Sequence, residues 1–243
     1  MSALTSYKLL AFDVYGTLVD WETGVVNALK PLLSKDSTRN FTREELLHLY
    51  HDFEALEQTA NPSMAYSEIL ATIHPRIASK LGLPAPTAEE NTAFSTSVGI
   101  WPAFPDTVDA LKRLSKHYKL VVLSNVDRAS FSRTNGGPLG GVEFDAVLTA
   151  QDIGSYKPDL RNFEYMLEYA RREFNIEKDQ VLSTAQSQFH DHYPAKQLGL
   201  RSAYIARKCA VMGNVEESKQ VYDWKFDTLG EMADAVEKET RSI

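Results

Sequence analysis

The sequence predicts an α/β fold, a Rossmann-like parallel sheet core with an inserted helical cap. Short apolar runs rich in Val, Ile, Leu and Phe alternate with longer segments of helical spacing, the rhythm of strands joined by crossover helices. The runs are continuous, as in strands covered by helices on both faces. Between Phe12 and Leu120 lie far more residues than one crossover helix needs, so something is inserted there.

Taken in order, Leu9-Leu10-Ala11-Phe12 is the first strand, and residues 120–123, 144–148, 181–182 and 203–205 are the later ones. Within the insertion, residues 21–33, 42–59, 65–81 and 88–98 carry apolar side chains three and four apart and read as helices. The breaks between them hold Pro62 and the stretch 82–86. Residues 99–104 return the chain to the core, Asp106 starts a crossover helix, and residues 159–174 form another. Residues 135–141, rich in glycine, read as a loop. These elements divide the chain into an α/β core domain (1–18 and 101–243) and a helical cap domain (19–100). A second, independent helical domain is the other reading of the insertion.

The chain has 243 residues, 43% of them hydrophobic and 24% charged, enough to bury a sizeable core and unlike a disordered or fibrous chain. A formal net charge of −7 argues against binding phosphate backbones, and with them against nucleic-acid partners. Cys209 is the only cysteine, which forbids an internal disulfide and a clustered-cysteine metal site and fits a reducing compartment. No apolar run approaches the roughly 18 residues of a membrane span, and the first eight residues show no signal pattern. The expectation is a soluble, cytoplasmic protein acting on a small-molecule substrate without a membrane partner. A homodimer stays open, since dimers are the commonest soluble assembly.

The candidate chemistry lies at the strand ends. Asp13 closes the first apolar run and is followed by Tyr15, Gly16 and Thr17, at the edge where parallel sheets bind ligands. Taken alone, Asp13 reads equally as a turn cap. The second strand runs into Ser124-Asn125, whose side chains and backbone N–H groups suit a substrate carboxylate or oxyanion. Lys157, in a turn before a helix, suits charge neutralisation, although a lone lysine is more often a surface charge. The fourth polar end is 184–191.

Together these stretches resemble the haloacid dehalogenase superfamily. Phe12-Asp13-Val14-Tyr15-Gly16-Thr17-Leu18 is similar to its first motif, Ser124-Asn125 to its second, Tyr156-Lys157-Pro158-Asp159 to its third and residues 187–191 to its fourth. An aromatic residue at Tyr15, where the phosphatases of the superfamily usually carry a second aspartate, resembles the 2-haloacid dehalogenase branch, type II. The resemblance implies a haloacid dehalogenase-like fold and a hydrolase cleaving the carbon–halogen bond of a small 2-haloacid through an aspartyl ester. In that scheme Asp13 is the nucleophile, Thr17 orients it, Lys157 stabilises its charge and Asp191 directs the hydrolytic water. Tyr15, Ser124, Asn125 and Ser187 are the substrate-binding candidates. No cofactor is expected, and no metal: Gln186 and Ser187 stand where magnesium would want an acid, and His190 and His192, two apart, do not share a helix face.

The sequence departs from the family at several points. The family's halide-accepting arginine is missing from Tyr50-His51-Asp52-Phe53, and Arg39, Arg43 and Arg76, the only arginines of the insertion, read more simply as surface charges. Phe163 stands where a tyrosine is expected. Gln186-Ser187-Gln188 replaces Ser-Ser-Asn. His51, Trp21 and Phe189 are pocket-wall candidates, with core packing the expected fate of the two aromatics. The alternative functions are a metal-independent epoxide opening or rearrangement of a larger metabolite, a phosphatase, and a catalytically silent binding protein.

Overall fold

The computed structural model describes residues 3–208, 210–213 and 221–242; Cys209, on which the compartment reading rests, lies outside them. Strands β1 (Leu9–Phe12), β2 (Lys119–Ser124), β3 (Ala146–Thr149), β4 (Val181–Ala185), β5 (Arg201–Ile205) and β6 (Trp224–Phe226) form one parallel sheet in the order β3-β2-β1-β4-β5-β6. The chain fills one side of β1 with β2 and β3, then returns to the other side with β4, so the topological switch lies between β1 and β4. In register, Phe12 stands beside Val122 on one side and Thr184 on the other. Asp13, Ser124 and the residues after Ala185 therefore emerge along one edge.

The uninterrupted apolar runs have a direct cause. Leu10 and Phe12 of β1 point into one core with Leu120, Val122 and Leu182, while Leu9 and Ala11 point into the other with Val121, Leu123 and Val181. The first core is completed by α5 (Thr107–Leu114) and α10 (Leu229–Thr240), the second by Phe163, Met166 and Ala170 of α8 (Leu160–Phe174). A strand flanked by two cores has no polar face to show.

Four helices follow β1 in the chain before α5: α1 (Trp21–Leu33), α2 (Arg43–Ala60), α3 (Tyr66–Leu81) and α4 (Ala88–Thr96). Their starts are chemically marked. Asp20 accepts from the Thr23 N–H, and Thr42 and Thr87 form capping boxes with Glu45 and Glu90. The fourth predicted helix stops at Thr96 and tightens into a 3₁₀ turn, Ser97–Ile100, a common way to finish a helix. Gly24 of α1 sits where any Cβ would meet the Trp101 ring at 2.2 Å, so the helix presses directly onto the returning segment. The outgoing and returning chains lie side by side, with the Asp20 N–H donating to Pro102 O (2.8 Å) and the Phe104 N–H to Leu18 O (3.0 Å).

The remaining helices are α6 (Arg128–Gly136), α7 (Ala150–Ile153) and α9 (Tyr193–Gln197), with one π-helical turn, Gln188–His192, between β4 and α9. Asp106 does precede α5, but its side chain makes no cap; it pairs with Arg207 and accepts from the Gly230 N–H. The strand β3 begins at Ala146 rather than 144, since Phe144 turns to pack on Phe131. No helix of the described residues is long and apolar enough to cross a membrane.

Candidate active site

The Asp13 carboxylate leaves β1 8% exposed and is held from two sides. Thr17 Oγ1 donates to Oδ2 at 2.7 Å, and Lys157 Nζ donates to Oδ1 at 2.8 Å. Gly16, at φ 104°, bends the loop so that its N–H donates to Val19 O and Thr17 comes back beneath the carboxylate. Thr17 Oγ1 also accepts the Gln186 N–H (2.8 Å), tying the β1 loop to the end of β4. Arg207, buried and itself at φ 44°, donates to Thr17 O through Nε and Nη2 (2.9 and 2.7 Å) and pairs with Asp106.

Lys157 is 2% exposed, which overturns the surface-charge reading. Its three ammonium protons go to Asp13 Oδ1, to Asp191 Oδ1 (2.7 Å) and to Leu123 O (2.9 Å). The turn that carries it is fixed by Asn125, whose Oδ1 accepts the Lys157 N–H (2.7 Å) and whose Nδ2 donates to Lys157 O (3.0 Å). Asn125 thus works first as a brace for the lysine, a role its reading as a substrate ligand did not include. The turn-cap reading of Asp13 also falls, since its carboxylate receives Thr17 and Lys157 side chains instead.

These groups border a cavity of about 270 Å³ lined by Asp13, Tyr15, Ser124, Asn125, Lys157, Ser187 and Asp191, among others. Every expected site residue is therefore at the cavity except Thr17, which reaches it through Asp13. Ser124 Oγ and Asp191 Oδ2 are buried at its edge without a hydrogen bond, polar atoms that a ligand or water would satisfy. Tyr15 is held by Thr134 Oγ1 (2.9 Å) and edge-on against Trp101. Ser187 accepts the His190 N–H and pairs with His190 Nδ1 (3.1 Å).

Burial sets the electrostatics. Taken from water, the Asp191 carboxyl is pushed up to about 7, with the Asp13 charge adding to the rise and Lys157 opposing it. Burial alone would lower the Lys157 ammonium, but the charges of Asp13 and Asp191 outweigh it and hold the group above its usual value. Burial lowers His190 and His192 to about 4, so both rings are neutral at physiological pH. Burial also raises the Tyr15 phenol, keeping it protonated.

The two histidines serve different partners. His192 bonds Ser202 Oγ (2.8 Å) and Ala185 O (3.0 Å), deep in the core, while His190 lines the cavity. Among the described residues no cluster of three or more His, Cys, Asp or Glu is placed to hold a metal ion.

Three arginines and a phenylalanine leave the site. Arg39 donates to Leu81 O, Arg43 pairs with Glu22, Arg76 pairs with Glu57, and none of them lines the cavity. Phe163 is buried in the second core. Trp21 and Phe189, expected in the core, both line the cavity; Trp21 also packs against the first core, whereas Phe189 is 57% exposed.

The lining also includes residues that sequence reasoning missed. Glu54, Gln58 and Tyr66 join His51 from α2 and α3, and Gln186, His190, Met212 and Gly213 complete the wall. The segment with Met212 is anchored by buried Glu22, whose Oε1 accepts the Val211 and Met212 N–H groups (2.8 and 2.9 Å). His51, Glu54 and Gln58 are spaced three and four apart, so they share a helix face.

Comparison with known proteins sets this geometry in context. The family model of the haloacid dehalogenase-like hydrolases matches residues 7–182, from the segment before β1 into β4, ending before the turn that holds Asp191. No curated protein matches the chain. Among solved structures, the L-2-haloacid dehalogenase PA0810 superposes with a TM-score of 0.77 at 22% identity, over 96% of this chain and 99% of that one. The L-2-haloacid dehalogenase from Xanthobacter autotrophicus with chloropropionic acid covalently bound gives 0.76 at 16%, over 95% and 98%. The putative hydrolase YfnB from Bacillus subtilis, bound to magnesium, gives 0.72 at 17%, over 95% and 99%. The likeness to these structures is one of fold, and the family match spans most of the sequence: the chain belongs to the haloacid dehalogenase-like hydrolases.

Proposed function

We propose that this hydrolase cleaves the carbon–halogen bond of a small 2-haloacid, without a metal, through an ester on Asp13. The observation that carries the reading is the single ammonium of Lys157 held between the Asp13 and Asp191 carboxylates, 2.8 and 2.7 Å away, beside a cavity of about 270 Å³. Asp13 attacks the carbon, halide departs, and the carbonyl carbon of the resulting ester then faces water. Lys157 stabilises the carboxylate and, in the second step, the oxyanion. Asp191, whose Oδ2 is buried without a partner, takes the proton of that water. Ser124 Oγ and the backbone around Asn125 hold the substrate carboxylate. Helices α1–α4 act as the cap that keeps bulk water from the nucleophile.

A magnesium ion does not fit the donor set. Magnesium wants several hard anionic oxygens, and the neutral Gln186 and Ser187 stand where the acid that would join Asp13 is expected. No step is routed through a metal, and phosphoryl transfer is disfavoured for the same reason.

The test follows the oxygen. In a single turnover in ¹⁸O water, enzyme in excess over 2-chloropropionate, the peptide containing Asp13 gains the label and the first product does not. Asp13→Asn releases no chloride. Label in the product with none in the Asp13 peptide would make Asp13 a base or a structural group.

A further inference from the structure

Helices α2 and α3 bring to the cavity a set of polar groups that the aspartyl mechanism leaves unused. His51 Nδ1 lies 3.7 Å from Glu54 Oε2, and Glu54 Oε1 accepts from the Tyr66 hydroxyl at 2.5 Å. Tyr66 in turn shares a hydrogen bond with the buried Tyr50 hydroxyl at 2.6 Å. The Glu54 side chain is 16% exposed, so this carboxylate is mostly withdrawn from water, and the His51 imidazole is the basic group paired with it among the described residues. The Glu54 carboxylate draws the imidazole above its usual value, against the burial that lowers it. Asp52 on the same helix acts in the same direction. Tyr66 from α3, Asp13, Lys157, His190 and Asp191 face the same cavity, and His190, lowered to about 4, brings no competing positive charge. With Nδ1 turned to Glu54 and His51 lining the cavity, Nε2 is the ring nitrogen we assign to a ligand.

A proton donor backed by a carboxylate suits one kind of leaving group. A departing halide takes up no proton, and the Glu54 charge beside it is repulsive. A departing alkoxide needs a proton and leaves as a neutral hydroxyl, which the same carboxylate tolerates.

We propose that the pocket has a second activity, the opening of small 2,3-epoxy carboxylic acids, with His51 backed by Glu54 protonating the departing oxygen. The proposal rests on Asp13 as the nucleophile. An Asp13 oxygen bonds to the ring carbon next to the carboxylate, that carbon's bond to the ring oxygen breaks, and its electron pair takes the Nε2 proton of His51. Water then adds to the ester carbonyl, giving its proton to Asp191. The ester C–O bond breaks toward the substrate, whose oxygen takes that proton; the water's second proton, left on the Asp13 carboxyl, passes to solvent, and His51 regains one from solvent. The sum is epoxide plus water giving a vicinal diol.

The experiment uses the full chain with two probes, oxirane-2-carboxylate read as diol and 2-chloropropionate read as chloride. Wild type should form the diol. His51→Gln should slow that reaction by about 100-fold or more, the lower range of general acid catalysis. Chloride release by the same variant should change far less and shows that it is folded. Glu54→Gln should move the high-pH limb of kcat/KM for the epoxide to lower pH, because the imidazole loses the charge that keeps it protonated. No diol from wild type overturns the proposal, and so does an equal loss on both probes in His51→Gln or an unmoved limb in Glu54→Gln. Chloride release with ¹⁸O in the Asp13 peptide, but no diol, removes the second activity and leaves the aspartyl reading standing. Diol labelled in its first turnover, with none in the Asp13 peptide, overturns both.

Discussion

The floor of the cavity, made of Asp13, Thr17, Lys157 and Asp191, stands on strand ends and their loops, whereas the wall of His51, Glu54, Gln58 and Tyr66 stands on two inserted helices. On the floor, a lysine spends every proton on fixed oxygens and a threonine both donates and accepts. On the wall, His51 is about one-third exposed and its pair with Glu54 is 3.7 Å long. The contrast assigns different work to the two regions. Groups locked by several bonds can hold charge at one point through a reaction. Groups on a helix face can be exchanged without disturbing that point, so they are suited to choosing the substrate and its leaving group.

The largest expected effect comes from breaking the floor. Lys157→Met keeps the length of the side chain and removes its charge, and kcat should fall by at least about 10²–10³. Two buried carboxylates would then lose their shared counter-charge, a cost of about 3–5 kcal/mol in stability. Part of that cost should return at low pH, where Asp191 takes a proton. Urea unfolding at pH 5 and pH 8, with a turnover assay, checks both statements. A folded variant with near-normal turnover would show that the lysine is a structural tie.

The same contrast explains what was legible in the sequence. Asp13 and Ser124 could be found because an apolar run that ends abruptly in a polar residue is rare and marks a strand's carboxyl end, whereas Lys157, in a turn before a helix, stood out only through the resemblance of residues 156–159 to a family motif. Beyond His51, the wall residues Glu54 and Gln58 could not be found, because a polar helix face toward a cavity has the same spacing as one toward solvent. The strand β6 was missed for a related reason: three residues at a sheet edge, half-buried and exposed in turn, form no apolar run. The support given by Arg207 to Thr17 spans 190 residues and leaves no local signal. The paired bonds between Asn125 and Lys157 likewise depend on two turns that only the folded sheet brings together.

A second, smaller effect should appear with pH. Asp191 must be ionised to accept a proton from water, so splitting of the ester should slow as pH falls, with a midpoint below the free-enzyme value near 7 because the ester removes the Asp13 charge that adds to the rise. Stability has two opposing contributions. The folded value of Asp191 lies above an unfolded value of about 3.9, so its contribution is present below about 4 and lost as pH rises through about 7. His190 and His192 lie near 4 when folded and about 6.5 when unfolded, so theirs is present above about 6.5 and lost as pH falls toward 4. Two histidines outweigh one carboxyl, and net stability should drop between pH 6.5 and 4. Calorimetry across that range checks the sign, and His192→Gln should flatten the slope. A flat profile in the wild type would mean that the rings are not buried as neutral groups.

The smallest effect is expected on the wall, away from the proposed proton donor. Gln58 lies two helical turns along from His51 on α2, half-buried at the edge of the cavity. Gln58→Leu removes a neutral hydrogen-bonding group, worth about 0.5–1.5 kcal/mol in such a setting. That corresponds to a change in KM of a few-fold, in either probe, with kcat unchanged. Stability should move by no more than about 0.5 kcal/mol, as for substitutions outside the core. The split between the two constants is the informative reading, because a group that only receives substrate alters binding and leaves the barrier alone. A fall in kcat of about 100-fold, with KM constant, would place Gln58 on the transition state. The wall would then share the work of the floor, and the division between a charge-holding floor and a substrate-choosing wall would fail at its weakest point.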